Sequence, residues 1–308
     1  MQFFPDILSS DDAYCEVTNA FCFDFDTIFA VLEARSDSRE LRACALFNID
    51  LRSDTVAYNV LHEIPTGALD YHAEHPNQHY MLVSPGYIHE ISDGDIKYFD
   101  EASESLLMYL TRVSSTSIAV FGEEGEIYTF ESGRYQRIPS GTEEDLYGIH
   151  FPSPNSGFAV GDYGTLLKGT GKRLAPVEIG VGDSLRAVHA KLDGTVLIAG
   201  IEGSALVLAG EELVEVSGGE GDFYTVTEFQ GMEYWGDDAF GVYTRSNRKL
   251  VRKFATRYAF NLNATESILT INGGYDIYIF NGIKWKRIKI SSSMDSLITP
   301  AALDFVPL

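Results

Sequence analysis

An all-β fold of seven four-stranded antiparallel blades, a β-propeller, is what this sequence predicts. Three observations predict it. A phrase recurs: Leu146-Tyr-Gly-Ile-His-Phe with Gly157-Phe-Ala-Val-Gly-Asp-Tyr-Gly, then Leu185-Arg-Ala-Val-His-Ala with Gly194-Thr-Val-Leu-Ile-Ala-Gly, then Phe223-Tyr-Thr-Val-Thr-Glu with Met232-Glu-Tyr-Trp-Gly-Asp-Asp. Its period is nearly constant. The apolar residues Ala68, Leu106, Leu146, Leu185, Phe223, Tyr258 and Leu297 open successive units at spacings of 38, 40, 39, 38, 35 and 39. Periods near 40 with several short strands each are the signature of propeller blades. Finally, the apolar runs have strand length and are punctuated by Gly, Asp and Asn, without the three-to-four spacing of an amphipathic helix.

From the N-terminus, Asp26–Arg35, Leu41–Asp50 and Thr55–Ile64 read as three strands with no opening strand before them. Residues 1–20 read as an irregular extension of a single propeller domain spanning 1–308. The unit that opens at Leu146 divides into strands at about 146–151, 157–161, 164–169 and 173–179. Its turns are Pro154-Asn-Ser-Gly, Asp162-Tyr-Gly and Gly169-Thr-Gly, where glycines supply the positive φ that tight hairpins need. Gly122-Glu-Glu-Gly-Glu-Ile-Tyr-Thr-Phe and Gly273-Gly-Tyr-Asp-Ile-Tyr-Ile-Phe repeat that grammar. Asp93-Gly-Asp-Ile-Lys-Tyr and Asn247-Arg-Lys-Leu-Val-Arg-Lys are polar enough for solvated outer strands. The segment 297–305 opens a unit that nothing follows. It is therefore expected to complete the N-terminal blade, closing the propeller and removing an exposed sheet edge.

The stretches Gly122-Glu-Glu-Gly-Glu-Ile-Tyr-Thr-Phe-Glu-Ser-Gly-Arg-Tyr and Phe158-Ala-Val-Gly-Asp-Tyr-Gly-Thr-Leu-Leu resemble the repeats of one propeller superfamily. It includes the photosystem II assembly factor propellers and the sialidase-type BNR repeats. The resemblance covers about residues 105–290 and implies the propeller fold. It carries no activity over, because the sialidase Asp-box, Ser-x-Asp-x-Gly-x-Thr-Trp, is absent from the sequence. The assembly factors also rely on a basic surface patch, and this chain is acidic.

Lys plus Arg number 23 and Asp plus Glu 45, a net charge of −22. Such a surface repels nucleic acid and anionic membranes and steers basic proteins toward it. No run approaches the apolar length of a membrane helix. Met1-Gln-Phe-Phe-Pro-Asp lacks the basic and apolar regions of a signal peptide, so the chain is expected in the cytoplasm. Three cysteines, Cys15, Cys22 and Cys44, make no disulfide framework.

Periodicity gives the acidic residues an address. Glu123-Glu124, Asp162 and Asp237-Asp238 fall in the turn after the second strand of their units. Glu143-Glu144-Asp145, Asp183 and Asp222 precede opening strands. Equivalent loops of successive blades emerge on one face, so Glu123, Glu124, Glu143, Glu144, Asp145, Asp162, Tyr163, Asp183, Asp222, Asp237 and Asp238 are the candidate partner-binding residues.

Other constellations are weaker. His72, His75 and His79 form the one histidine cluster, but residues three apart on a strand point to opposite faces, so no metal site is expected. His72, His150 and His189 share one repeat position, which calls for nothing beyond hydrogen bonding to nearby backbone. Neither a Gly-x-Ser-x-Gly elbow nor a phosphate loop is present in the sequence. No catalytic residue and no cofactor are assigned. The expected function is a non-enzymatic module that binds a basic protein, in its most concrete form an immunity protein neutralising a bacterial toxin. The alternatives are a glycoside hydrolase or lyase working in the channel, and a scaffold subunit of a larger complex.

Overall fold

The computed structural model of the chain describes residues 3–301, apart from 39–40, 54–55, 220, 257 and 294–295. Its strands form seven antiparallel sheets, the blades of a seven-bladed β-propeller. Six sheets have four strands and the last has five. The innermost strands are Ala13–Asp24, Ala68–His75, Leu107–Ser114, Leu146–Ser153, Leu185–Ala190, Phe223–Phe229 and Asn261–Ala264. No helix among the described residues is long and apolar enough to cross a membrane.

The chain divides into two compact units. One holds the first, second and seventh blades, and the other the third to sixth. In the second unit the repeat builds each blade in the same way. The second strand, such as Ser156–Gly161 or Thr195–Gly200, is buried along nearly its whole length, because both faces lie under neighbouring sheets. Outer strands such as Arg134–Arg137 are mostly exposed and polar. Trp235 of the sixth blade is fully buried and packs edge to face on Phe223, with ring centres 6.1 Å apart. Burying a side chain of that size contributes about 3 kcal/mol.

The first unit corrects the expected closure. The N-terminal blade needs no strand from the C-terminus. Ala13–Asp24 pairs with Thr27–Ser36 over its full length, from Ala13 opposite Ser36 to Asp24 opposite Thr27, and fills the innermost edge. With that edge taken, Ile298–Ala301 adds instead to the outer edge of the seventh blade, Ile290 opposite Ile298 and Arg287 opposite Ala301. Pro300 suits this outermost strand, which among the described residues has no further neighbour. Residues 302–305 of the expected closing strand lie outside the described residues, as does Thr55; the strand begun there runs Ala57–Ile64.

Among the described residues the first and seventh blades share no sheet; one backbone hydrogen bond, from the Val17 N–H to the Gly274 carbonyl at 2.6 Å, and several side chains join them. Cys15, Val17, Ala20 and Cys22 pack in one core with Ile268, Ile277, Ile279 and Ile288 of the seventh blade. Three asparagines bridge the seam. Asn272 donates to the Val17 carbonyl at 3.0 Å. Asn263 donates to the Ala20 carbonyl at 2.8 Å and to Asn19 Oδ1 at 3.0 Å. Asn19 passes the chain on to the second blade, donating to the Tyr71 carbonyl at 2.9 Å.

Nor are residues 3–20 an irregular extension. A helix at Phe3–Leu8 buries Phe4, Ile7 and Leu8, and Phe4 meets Phe47 of the first blade edge to face at 5.4 Å. The three cysteines are buried and unpaired. Burial pushes the Cys22 thiol up to about 12, and Cys15 and Cys44 also rise, burial again leading.

Candidate functional site

The loops before the inner strands and after the second strands of the third to sixth blades meet pairwise. The backbone carries the repeat first. After each second strand the next N–H donates to the carbonyl just before that blade's inner strand: Glu123 to Leu106 (3.0 Å), Asp162 to Asp145 (3.0 Å), Ile201 to Ser184 (3.0 Å) and Asp238 to Asp222 (3.2 Å).

Aspartates then tie each blade to the one before it. Asp145 Oδ1 accepts the N–H of Glu124 in the preceding blade at 3.0 Å. Asp222 Oδ1 accepts the N–H of Glu202 at 2.7 Å. In between, the Asp183 carbonyl accepts the N–H of Gly164 at 2.9 Å, and its Oδ2 accepts the Ser204 hydroxyl at 2.8 Å. The reason lies in the turn. Glu124, Tyr163 and Glu202 occupy one repeat position at φ of +54°, +52° and +56°, each followed by a positive-φ glycine. That conformation turns an N–H outward, where the next blade's aspartate meets it. At Gly164 a Cβ would lie 1.8 Å from the Val181 carbonyl, so glycine is needed for close approach as well as for φ.

The structure thus divides the predicted residues. Asp145, Asp183 and Asp222 are half-buried braces between blades. Asp162 accepts from the Tyr147 hydroxyl at 2.8 Å and from the Ser184 hydroxyl. Glu123 and Glu144 are half-buried; Glu124, Glu143 and Tyr163 are exposed, Tyr163 at 76%. Asp237 is a correction. It is the last residue of the second strand rather than part of the turn, and it is fully buried. Its Oδ1 accepts the N–H groups of Ala239 and Phe240, both at 2.7 Å, so it shapes the turn from inside and offers a partner nothing. It stands in register where the other blades of this unit have Gly122, Gly161 and Gly200. Room is made by Gly221, where a Cβ would meet Asp237 Oδ2 at 2.5 Å.

Sequence reasoning missed the other residues of this face. Glu202 is exposed at the repeat position of Glu124 and Tyr163. Phe240, Tyr258 and Phe260 are 38%, 43% and 44% exposed. Tyr258 was expected to open the seventh blade, but the strand begins at Asn261, and Tyr258 and Phe260 are loop residues instead. Tyr147, Arg186 and Tyr224 each follow the first residue of an inner strand. Arg186 lays its guanidinium over the Tyr147 ring at 4.0 Å.

His72, His79, His150 and His189 make contacts within the fold. The His150 and His189 rings stack at 4.4 Å, and His150 Nδ1 accepts the Ala190 N–H at 3.0 Å, as expected from the repeat position. Burial holds His150 down to about 3, aided by His189, and His189 to about 4. His79 is bound to the Tyr71 hydroxyl (2.9 Å) and the Pro76 carbonyl (3.0 Å), while His72 packs on Phe21.

No protein-family model matches the sequence, and no curated protein does. Solved structures do. The WD40 β-propeller domain of Doa1 aligns with a TM-score of 0.72 at 10% identity, covering 87% of this chain and 94% of that one. The C-terminal WD40 domain of Sif2 aligns at 0.61 and 10% identity, covering 86% and 82%. The computationally designed protein Ika8 aligns at 0.61 and 12% identity, covering 86% and 96%. The chain therefore shares the fold of WD40 propellers, and at these identities the likeness extends to the fold alone.

Proposed function

We propose that this protein is a non-enzymatic binding module whose loop face on the third to sixth blades takes a basic protein partner. One observation carries the reading. The residues that vary at the shared turn position, Glu124, Tyr163 and Glu202, are exposed, as are Glu143, Phe240, Tyr258 and Phe260. Aromatic side chains make interface anchors, and a rim of one charge steers an oppositely charged partner. The aspartate braces make the face rigid, which lowers the ordering cost of binding. The net charge of −22 favours a strongly basic partner such as a nuclease toxin, which this protein would neutralise as its immunity protein. The resemblance to the assembly-factor and BNR repeats adds no chemistry to this reading.

Co-purification from native lysate, followed by association kinetics of the purified pair across a salt series, tests it. The association rate should fall by roughly tenfold or more between low and physiological ionic strength, and Glu124→Gln with Glu202→Gln should flatten that dependence. An acidic partner, or a rate indifferent to salt, would overturn the proposal.

A further inference from the structure

Tyr224, Tyr258 and Phe260 form a continuous aromatic platform on the same face. Tyr224 and Phe260 meet edge to face at 5.1 Å and 85°, and Tyr258 lies 5.6 Å from Phe260 at 36°. The backbone sets the loop that carries two of them. The Tyr258 N–H donates to the Asp238 carbonyl at 2.8 Å, and the Phe260 N–H to the Tyr258 carbonyl at 2.7 Å. Between them Ala259 is fully buried, which pins the segment and leaves both rings outside. Tyr258 sits at φ +61°, a conformation that costs a bulky residue more than asparagine or glycine. A strained residue that presents an exposed ring points to a role outside the fold.

Negative charge crowds this platform. The Tyr224 hydroxyl is raised by burial and then by Asp222 and Asp238, with Arg186 opposing. Asp238 is itself raised, by burial first and then by Asp237 and Asp222. A cation placed here would relieve the repulsion among those carboxylates and meet the negative faces of the rings.

The neighbouring inner strands show how such a set is filled. Tyr147 lies edge to face with Tyr109 at 6.3 Å and gives its hydroxyl to Asp162. Its ring carries the guanidinium of Arg186, from the repeat position equivalent to Tyr147 and Tyr224. The fourth blade's Tyr147 ring thus holds an arginine of this same chain. Among the described residues, no cation lies over Tyr224, Tyr258 or Phe260.

We infer that the Tyr224–Tyr258–Phe260 platform, with Asp222 and Asp238 beside it, receives an arginine side chain of the basic partner. The guanidinium stacks on an exposed ring of the set and its N–H groups bond to the carboxylates. This rests on the proposed function and names the side chain by which the partner is held. Arginine fits better than lysine. Its planar, weakly hydrated head stacks on rings and forks toward carboxylates, whereas an ammonium is a compact, strongly hydrated point charge.

Fluorescence anisotropy with labelled octa-arginine and octa-lysine on the full chain at low salt tests the inference. Octa-arginine should bind on the order of tenfold tighter. Phe260→Leu and Tyr258→Asn should each bring octa-arginine to the octa-lysine level and leave octa-lysine within about twofold. The melting temperature of each variant checks that it folds; asparagine suits the left-handed conformation at 258, so that variant should melt no lower than the parent. Equal binding of the two peptides by the parent protein, or an arginine preference that survives in both variants, would overturn the platform and leave the acidic-face reading standing. Failure of both peptides to bind the parent would overturn the basic-partner reading itself.

Discussion

Replacing Asp145 by alanine removes one acceptor that joins two blades, and the cost can be worked from the contact. Asp145 Oδ1 receives the Glu124 N–H at 3.0 Å, a charge-assisted bond to a backbone donor. Such bonds contribute about 1.5–3 kcal/mol when well shielded. Asp145 is half-buried and Glu124 exposed, so water can replace part of the bond. The expectation is then about 1 kcal/mol, close to the loss of an aspartate helix cap. For a cooperative unit of this size that lowers the melting temperature by about 2–4 °C. Asp145→Asn keeps an acceptor oxygen and removes a charge from a crowded acidic face, so it should melt at or slightly above the parent. Asp222→Ala should repeat the loss through Glu202, and the double alanine variant should show the sum, since the two braces share no partner. Differential scanning calorimetry in low-salt buffer measures all four variants. If Asp145→Asn falls as far as Asp145→Ala, charge and not the acceptor matters at this position. If neither alanine variant melts lower, the aspartates brace nothing and the account of the turn is wrong.

Two further outcomes follow from the same geometry. His150 and His189 stay neutral in the fold to about pH 3 and 4, while an unfolded histidine titrates near 6.5. Below that value the unfolded chain gains protons that the folded chain refuses, so their contribution to stability is complete above pH 6.5 and is lost as pH falls toward 4, by up to about 1.4 kcal/mol per unit for each ring. His189→Phe keeps an aromatic stack and should flatten the dependence of stability on pH between 6.5 and 4.5 relative to the parent; parallel urea-midpoint curves for the two proteins would sink this. Gly164→Ala places a Cβ 1.8 Å from the Val181 carbonyl at φ +67°, whereas Gly180→Ala at φ +69° meets nothing within 4 Å. The first should cost about 3 kcal/mol or more and the second about 1 kcal/mol, and equal urea midpoints would show that close approach is not what requires glycine at 164.

The third to sixth blades were legible because each copy keeps its glycines and apolar positions in register. Leu146 opposite Gly161 and Leu185 opposite Gly200 are the same pair read twice. The first inner strand was not legible, for two reasons. Ala13–Asp24 lacks the recurring phrase, and a bulge between Val17 and Asn19 shifts its buried positions from Cys15 and Val17 to Ala20 and Cys22, which breaks the alternation that marks a strand. Without that strand, 297–305 was assigned to the wrong sheet. At the candidate site, the positions of the acidic loops could be read from the period, but the uses of the carboxylates could not. Asp237 and Asp238 are adjacent in sequence, yet one ends a buried strand and the other begins a turn. Phe260 and Tyr224 lie far apart in the chain, and the contact between them depends on how a loop packs against an inner strand.

The asparagine-bridged seam bears on how the molecule assembles in time. Among the described residues every β-ladder joins strands that are consecutive in the chain, so no ladder has to wait for the first and seventh blades to meet. Each blade can zip as a local meander across short loops, whose closure costs little entropy and happens fast. The encounter of Ala13–Asp24 with the seventh blade is then a docking of two finished surfaces through Asn19, Asn263, Asn272 and the Val17 N–H. Substituting those asparagines should leave the folding rates of individual blades alone and show itself in the last, slowest phase.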